Sequence, residues 1–382
     1  MLTGLTLALA LPPLDGIGKI LLFLVMLSIL VVLHEAGHFI VARRNGVRVN
    51  DFAVGFGPTL LKWTSPRSGT NYRINLLPLG GYCAMQGEDG KTSEAEQQRQ
   101  FLAEHVSGSD NFQAKAPWRR LAIVVAGPIA NFVVCFLILF LAAITFGIDT
   151  GAATTRIGLV QSGTPGALAG LEPGDSIDAI DGVRFSNGDT LLKKIQASAG
   201  VPLKVEFSHQ GVRRTAVIVP KAVDIGNKKM VGQIGFQRVF AFQRVNPIEA
   251  VTLSGYGTWR LIALTFDGLA KLITNPRVSA ANVGGPIAMG RAASAFQDLG
   301  WASYLQYAAM LSVALGFFNL LPIPALDGGR AMFILVEMLR GRPVDPEREA
   351  LVHFAGFAVL MVLIIFVAFH DVANIVSGKG IF

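Results

Sequence analysis

The stretch "ILVVLHEAGHFIVARR", residues 29–44, closes a long apolar run with His34, Glu35 and His38 inside five residues. The run begins near Ile17 and reaches Val41. That is long enough to cross a bilayer core of about 30 Å, for which about 20 residues suffice. In a helix, positions i and i+4 share a face, so His34 and His38 can offer two imidazole nitrogens to one metal ion. Glu35 projects from the adjacent edge, where it can take a proton from water activated by that metal. Ionisable groups inside a span are costly, and three together mark a functional site rather than a helix end reaching for the interface. Arg43 and Arg44 fit the helix-end description; the histidines lie a turn or more earlier. His34 follows Ile17 by 17 residues, about 26 Å along a helix at 1.5 Å per residue. The motif is therefore expected inside the membrane near its cytoplasmic side, with a short path to water.

The rest of the chain supports a membrane setting. Its 382 residues are 52% hydrophobic and 15% charged, whereas soluble domains average about 25% charged. The net charge of +7 reads as basic loops facing anionic lipid rather than as a nucleic-acid surface. Cys83 and Cys135 are far apart and suggest neither a disulfide framework nor a cysteine metal site. Residues 2–12 are apolar, but no basic residue precedes them, which argues against a cleaved signal peptide.

Four spans are expected: about Ile17–Val41, Leu121–Phe146, about Tyr304–Leu321 and Leu351–Phe369. Basic residues crowd the segments between spans one and two (Arg43, Arg44, Arg119 and Arg120 among them) and between spans three and four (Arg330, Arg340, Arg342, Arg348). The positive-inside rule then puts both segments in the cytoplasm, and both termini and residues 147–303 outside. Within the second span, Gly127, Pro128 and Asn131 are read as holding helices close together.

The expected fold class is a polytopic α-helical membrane protein with a membrane-associated β-hairpin region and an inserted α+β domain. The expected parts are residues 1–44 (first span), 45–116 (hairpin region and connector), 117–148 (second span), 151–240 (inserted domain), 241–302 (amphipathic surface helices), 303–349 (third span and loop) and 350–382 (fourth span and tail). Residues 45–84 carry strand-like pieces and many glycines. They either dip towards the membrane, lining a cavity, or form a small cytoplasmic hairpin. "NYRINLLPLGGY" is one edge, so Asn75 and Leu76 are candidate substrate-binding residues by strand addition. A connector helix is expected over 93–105. Residues 247–274 are apolar but carry Arg260, Asp267 and Lys271, which suits a helix on the membrane surface.

A catalytic metal usually has three protein ligands. Acids in or beside the spans are Asp15, Asp327, Glu337 and Asp371. Asp15 and Asp371 fall at the outer ends. Asp327 follows the third span in "FFNLLPIPALDGGR", where Pro322 and Pro324 break the helix and Gly328–Gly329 permit a sharp turn. Asp327 is favoured as third ligand, with a helix N-cap as its plain alternative role and Glu337 as the alternative ligand. His353, one turn into span four, reads as an interfacial histidine rather than a ligand.

"SGTPGALAGLEPGDSIDAIDG" resembles a bacterial PDZ domain, and residues 231–236, "VGQIGF", resemble its peptide-binding loop. Gly232, Ile234, Gly235 and Phe236 are then candidate peptide-binding residues, with a spacer or steric plug as the alternative. "HEAGH", "AGPIANF", "GGPIAMG" and "NLLPIPALDGG" together resemble the site-2 protease family of intramembrane zinc metalloproteases, in the bacterial branch that includes the regulator of sigma-E protease. The best-known members carry two tandem PDZ domains, whereas residues 151–240 hold one. The resemblance implies one zinc per chain held by His34, His38 and Asp327, with Glu35 as general base. It implies that Asn319 holds the substrate backbone or the developing oxyanion; its plain alternative role is capping the broken helix. It also implies a bacterial inner-membrane enzyme of regulated intramembrane proteolysis and stress response. Its partner would be a single-span membrane protein, such as an anti-sigma factor or a remnant signal peptide, already cut outside. Two other classes compete. A zinc-carrying membrane protein would need more polar residues along its spans, and an inactive PDZ scaffold sits badly with an intact Glu35.

Overall fold

The structure, a computed structural model, describes residues 16–87, 110–161, 163–209, 211–224, 230–274, 285–342 and 344–376. In chain order the elements are α1 (Gly16–Arg44), β1 (Val49–Thr64), β2 (Asn71–Met85), α2 (Pro117–Phe146), β3 (Ile148–Val160), α3 (Pro165–Leu168), β4 (Ser176–Ile180), β5 (Val183–Arg184) and α4 (Gly188–Ala197). They continue with β6 (Leu203–His209), β7 (Val212–Ile218), β8 (Lys221–Asp224), β9 (Met230–Gln233), β10 (Phe236–Gln243), α5 (Pro247–Thr274), α6 (Pro286–Asp298), α7 (Trp301–Leu320), α8 (Asp327–Arg340) and α9 (Pro346–Val376). The connector helix expected over 93–105 lies outside the described residues. The chain divides into two compact units, one of residues 15–139, 253–290 and 306–382, the other built on 140–252 and 291–305.

Among the described residues, three helices are long and apolar enough to cross a membrane: Gly16–Arg44, Pro117–Phe146 and Arg348–Ala373. The apolar run of α1 resolves into two faces. Ile17, Leu21, Val25, Ile29 and Leu33, four apart, are exposed, while Phe23, Met26, Leu30, His34 and His38 are buried. The first row suits lipid and the second suits helix neighbours. Gly46, at φ +68°, ends α1. Its N–H donates to Arg43 O and that of Val47 to Ala42 O, which satisfies carbonyls left over at the helix end.

Glycines let the helices of this unit approach at backbone distance. A Cβ on Gly37 would come 2.4 Å from Ala126 O, and one on Gly316 would come 2.8 Å from Pro128 O. Such small residues are how helices pack closely where lipid gives no hydrophobic drive. Ala42, Val47, Ile123, Val124, Ala331 and Ile334 share one buried cluster. That cluster brings the ends of α1, the start of α2 and α8 together.

The third expected span is helical as α7, over 20 residues, long enough to cross but less apolar than the three helices above. The reason is visible in its contacts. Ser312 Oγ donates to Asn131 O and Tyr307 Oη to Met289 O, each at 2.8 Å. A helix surrounded by others can carry polar side chains where lipid-facing helices cannot. The segment expected on the membrane surface forms α5, 28 residues long. Part of it lies along α2: Thr258 meets Cys135, and Leu261 and Ile262 pack beside Cys135, Ala309 and Val313.

β1 and β2 form a two-strand sheet with repeated register shifts. Phe52 lies opposite both Cys83 and Tyr72, and Trp63 also lies opposite Tyr72, so the long strands bend and pair twice. The far end exposes Phe56, Leu60, Leu61, Trp63, Ile74, Leu76 and Leu77. The near end touches α1: a Cβ on Gly81 would meet Val32 Cγ2 at 3.3 Å, and Ser28 Oγ bonds Pro78 O.

The second unit holds a six-stranded sheet, ordered β10-β3-β4-β6-β7 with β5 on β4, and a β8–β9 pair. Its core is Ile157, Ile177, Ile180, Leu191, Ile195, Leu203 and their neighbours. β6 and β7 pair antiparallel, with His209 opposite Val212.

Candidate active site

His34 and His38 are one helical turn apart on the buried face of α1, 5% and 6% exposed. Their Nε2 atoms are 3.2 Å apart. Asp327, first residue of α8, reaches the same point. Its Oδ2 lies 3.0 Å from His34 Nε2 and 3.3 Å from His38 Nε2. Nearly 300 residues of sequence separate the two segments, and the buried cluster described above closes the distance.

The hydrogen bonds around the imidazoles fix what those three atoms can be. His38 Nδ1 faces Ile123 O at 2.8 Å. A carbonyl only accepts, so Nδ1 carries the proton and Nε2 keeps a lone pair. His34 Nδ1 lies 2.9 Å from the side-chain amide nitrogen of Asn131, while Asn131 Oδ1 is buried with no partner. Turning that amide end for end puts its oxygen on Nδ1–H and leaves His34 Nε2 a lone pair too. With both rings neutral, two lone pairs and a carboxylate oxygen then converge, an arrangement that a shared cation satisfies. Ligands at about 2.0–2.1 Å in a tetrahedral array sit about 3.3 Å apart. The observed 3.0–3.3 Å fits that donor set, and these are the described residues grouped so as to hold a metal ion.

Space is reserved around them. A Cβ on Gly127 would come 2.2 Å from His38 Nε2 and 2.8 Å from His34 Nε2. Gly127 and Asn131 were read as helix-packing residues. The structure adds a direct role at the histidines, and the signal that could have shown it is a lone Asn inside an apolar run. Gly328 and Gly329 were read as turn formers. Neither has positive φ; a Cβ on Gly328 would meet Leu321 O at 2.1 Å, and one on Gly329 would meet Ile323 O at 2.5 Å. They let α8 start against the preceding loop.

Glu35 is half-buried beside His34. Glu337, the alternative ligand, is on α8 with its carboxylate paired to the Arg120 guanidinium, so it is engaged elsewhere. Asn319 donates from its amide to Leu315 O, in its own helix, at 3.0 Å. Asn75 is 6% exposed; it donates to Gly55 O and accepts from Thr59. Its side chain thus ties the hairpin internally, whereas Leu76 is exposed. In the other unit, Gly232 and Ile234 are buried, Ile234 as part of the core. Phe236 packs on that core, and Gly235 has φ +84°.

A family model described as Peptidase family M50 matches residues 22–363. A protein of Rhizobium meliloti, named as a candidate zinc metalloprotease, is 36% identical over 92% of this chain and 95% of its own length. The zinc metalloprotease RasP of Geobacillus kaustophilus is 28% identical, covering 94% and 98%. The regulator of sigma-W protease RasP of Bacillus subtilis is 26% identical, covering 94% and 99%. The solved PDZ domain of an SdrC-like protein from Listeria monocytogenes is 27% identical over 23% of this chain and 86% of that domain, with a TM-score of 0.19. The family match spans most of the chain and includes His34, His38 and Asp327: the protein is a metalloprotease of peptidase family M50, the site-2 protease family.

Proposed function

We propose that this chain is an intramembrane zinc endopeptidase that cuts a single-span membrane protein within or near its membrane segment. His34, His38 and Asp327 hold one zinc ion, and Glu35 is the general base. The observation that carries the reading is the convergence of two imidazole lone pairs and one carboxylate oxygen at the buried face of a membrane-length helix. Bound zinc would supply Lewis acidity, lowering the pKa of water and polarising a peptide carbonyl.

The chain's own groups do the rest. Asn131 and Ile123 O fix the imidazole tautomers, so that both Nε2 lone pairs would be free to hold the metal. Glu35 takes the proton of the attacking water and gives it to the leaving amine. Asn319, on the helix that ends just before the Asp327 loop, holds the substrate backbone or the oxyanion. A membrane helix hides its carbonyls in hydrogen bonds, so the substrate unwinds locally, and the exposed apolar end of the hairpin around Leu76 receives it as an added strand.

The inserted domain is read as PDZ on its sequence motif and strand order. β10 is an edge of its sheet, open to an extended peptide beside Gly235 and Phe236. The enzyme lies in a bacterial inner membrane, with both termini and the PDZ domain periplasmic. The substrate is of anti-sigma-factor or remnant-signal-peptide type, already trimmed outside. The relative named as a sigma-W regulator supports this class. Co-expression of Glu35→Gln with a tagged single-span substrate tests the reading. Cleavage falls about 10²- to 10⁴-fold, the usual share of a general base, while zinc content is unchanged. Normal cleavage would sink it.

A further inference from the structure

The loop that delivers Asp327 is held from outside by the last helix. Ala325, two residues before Asp327, has φ +80°, a conformation that a residue with a Cβ disfavours. Such backbone persists when its surroundings over-determine it. Two residues on one face of α9 supply the surroundings. The Ala325 N–H donates to His353 Nδ1 at 2.9 Å. Three residues on, Gly356 lies against Pro324; a Cβ there would come 2.3 Å from Pro324 Cβ and 2.8 Å from Pro324 O. Gly328 and Gly329 close the loop from inside.

Neither the metal-site chemistry nor lipid contact explains a histidine here. His353 Nε2 is buried with no hydrogen-bond partner, and the closest ion-pair oxygen, Glu349 Oε1, is 3.9 Å away. The ring packs beside Phe333, 5.5 Å between centroids. Its engaged atom is the one that accepts from Ala325. A partly buried imidazole that spends one nitrogen on a strained backbone N–H, next to a metal-ligand candidate, fits a supporting role for that ligand.

We propose that His353 is a positioning residue for the metal centre: by accepting the Ala325 N–H it holds the left-handed turn that aims the Asp327 carboxylate at His34 and His38. This rests on the reading of Asp327 as a ligand. Groups that support a metal ligand from behind change metal affinity about 10- to 100-fold, so zinc affinity is the readout, independent of proteolysis.

The experiment measures zinc affinity of the purified full chain by competition with a chromophoric chelator. His353→Ala is expected to weaken binding about 10- to 100-fold. His353→Leu, which fills the space without an acceptor, weakens it equally. His353→Asn, whose side-chain oxygen can replace Nδ1, recovers most of the affinity. Ala325→Gly added to His353→Ala also recovers most of it, because glycine takes positive φ without support. A merely structural loss of packing would not respond to Ala325→Gly. Asp327→Ala separates the two levels. If it binds zinc as the wild type does, the ligand reading itself fails. If it loses zinc while His353→Ala and His353→Leu keep wild-type affinity, the ligand stands and the clamp is overturned. The clamp is also overturned if neither His353→Asn nor the double variant recovers.

Discussion

Among the described residues, the histidine–carboxylate clusters at His209 and at His34–His38 have opposite meanings. In the sheet unit, His209 Nδ1 meets Asp175 Oδ1 at 2.7 Å, and Asp175 Oδ2 accepts the Glu172 N–H at 2.9 Å. Asp175 is 1% exposed, yet each of its oxygens has a donor. The cluster is complete as it stands and pins β6 to the loop before β4. At the other cluster, Asp327 Oδ2 faces two imidazole nitrogens whose protons are committed to Ile123 O and, after the amide turn, to Asn131. With both rings neutral, lone pairs are in excess there, and a shared cation satisfies them. Proximity of His and Asp is therefore a weak sign of a metal. The count of protons against lone pairs is the stronger one.

Substitutions at three positions sharpen that contrast. Gly127→Ala places a methyl where His38 Nε2 and His34 Nε2 converge; zinc content and cleavage should both be lost, while the sheet unit keeps its thermal stability. Metal analysis that finds stoichiometric zinc in this variant would break the account of the cavity. Asn131→Ala removes the partner of His34 Nδ1. Zinc affinity should drop about 10- to 100-fold, and Asn131→Asp should retain it, since a carboxylate also accepts the Nδ1 proton. Asp175→Ala acts at the complete cluster. It should cost about 1–3 kcal/mol of stability by leaving buried donors unpaired, read as a shift in the sheet unit's thermal unfolding. Zinc content should not move, and a loss of zinc would erase the distinction between the two clusters.

Much of the site was legible in the sequence because its parts carry local signals. The helical spacing of His34 and His38 and the proline break before Asp327 both follow from period and backbone sterics. What was hidden depends on side chains meeting across the chain. Asn131 looks like a packing residue until its amide is seen beside His34. The sequence offers no sign that the Asn75 side-chain amide turns inward to Gly55 O. His353 and Ala325 are 28 residues apart, and no periodicity links an α9 histidine to a positive φ in a loop. The third span shows the same limit: α7 is helical where expected, but its buried Ser312 and Tyr307 are explained only by the neighbours they bond.

The central claim is that Asp327 completes a metal site begun by His34 and His38. Zinc per chain in purified wild type, Glu35→Gln and Asp327→Ala tests it most directly. The account predicts one zinc per chain in the first two and almost none in the third. A full zinc complement in Asp327→Ala would contradict it.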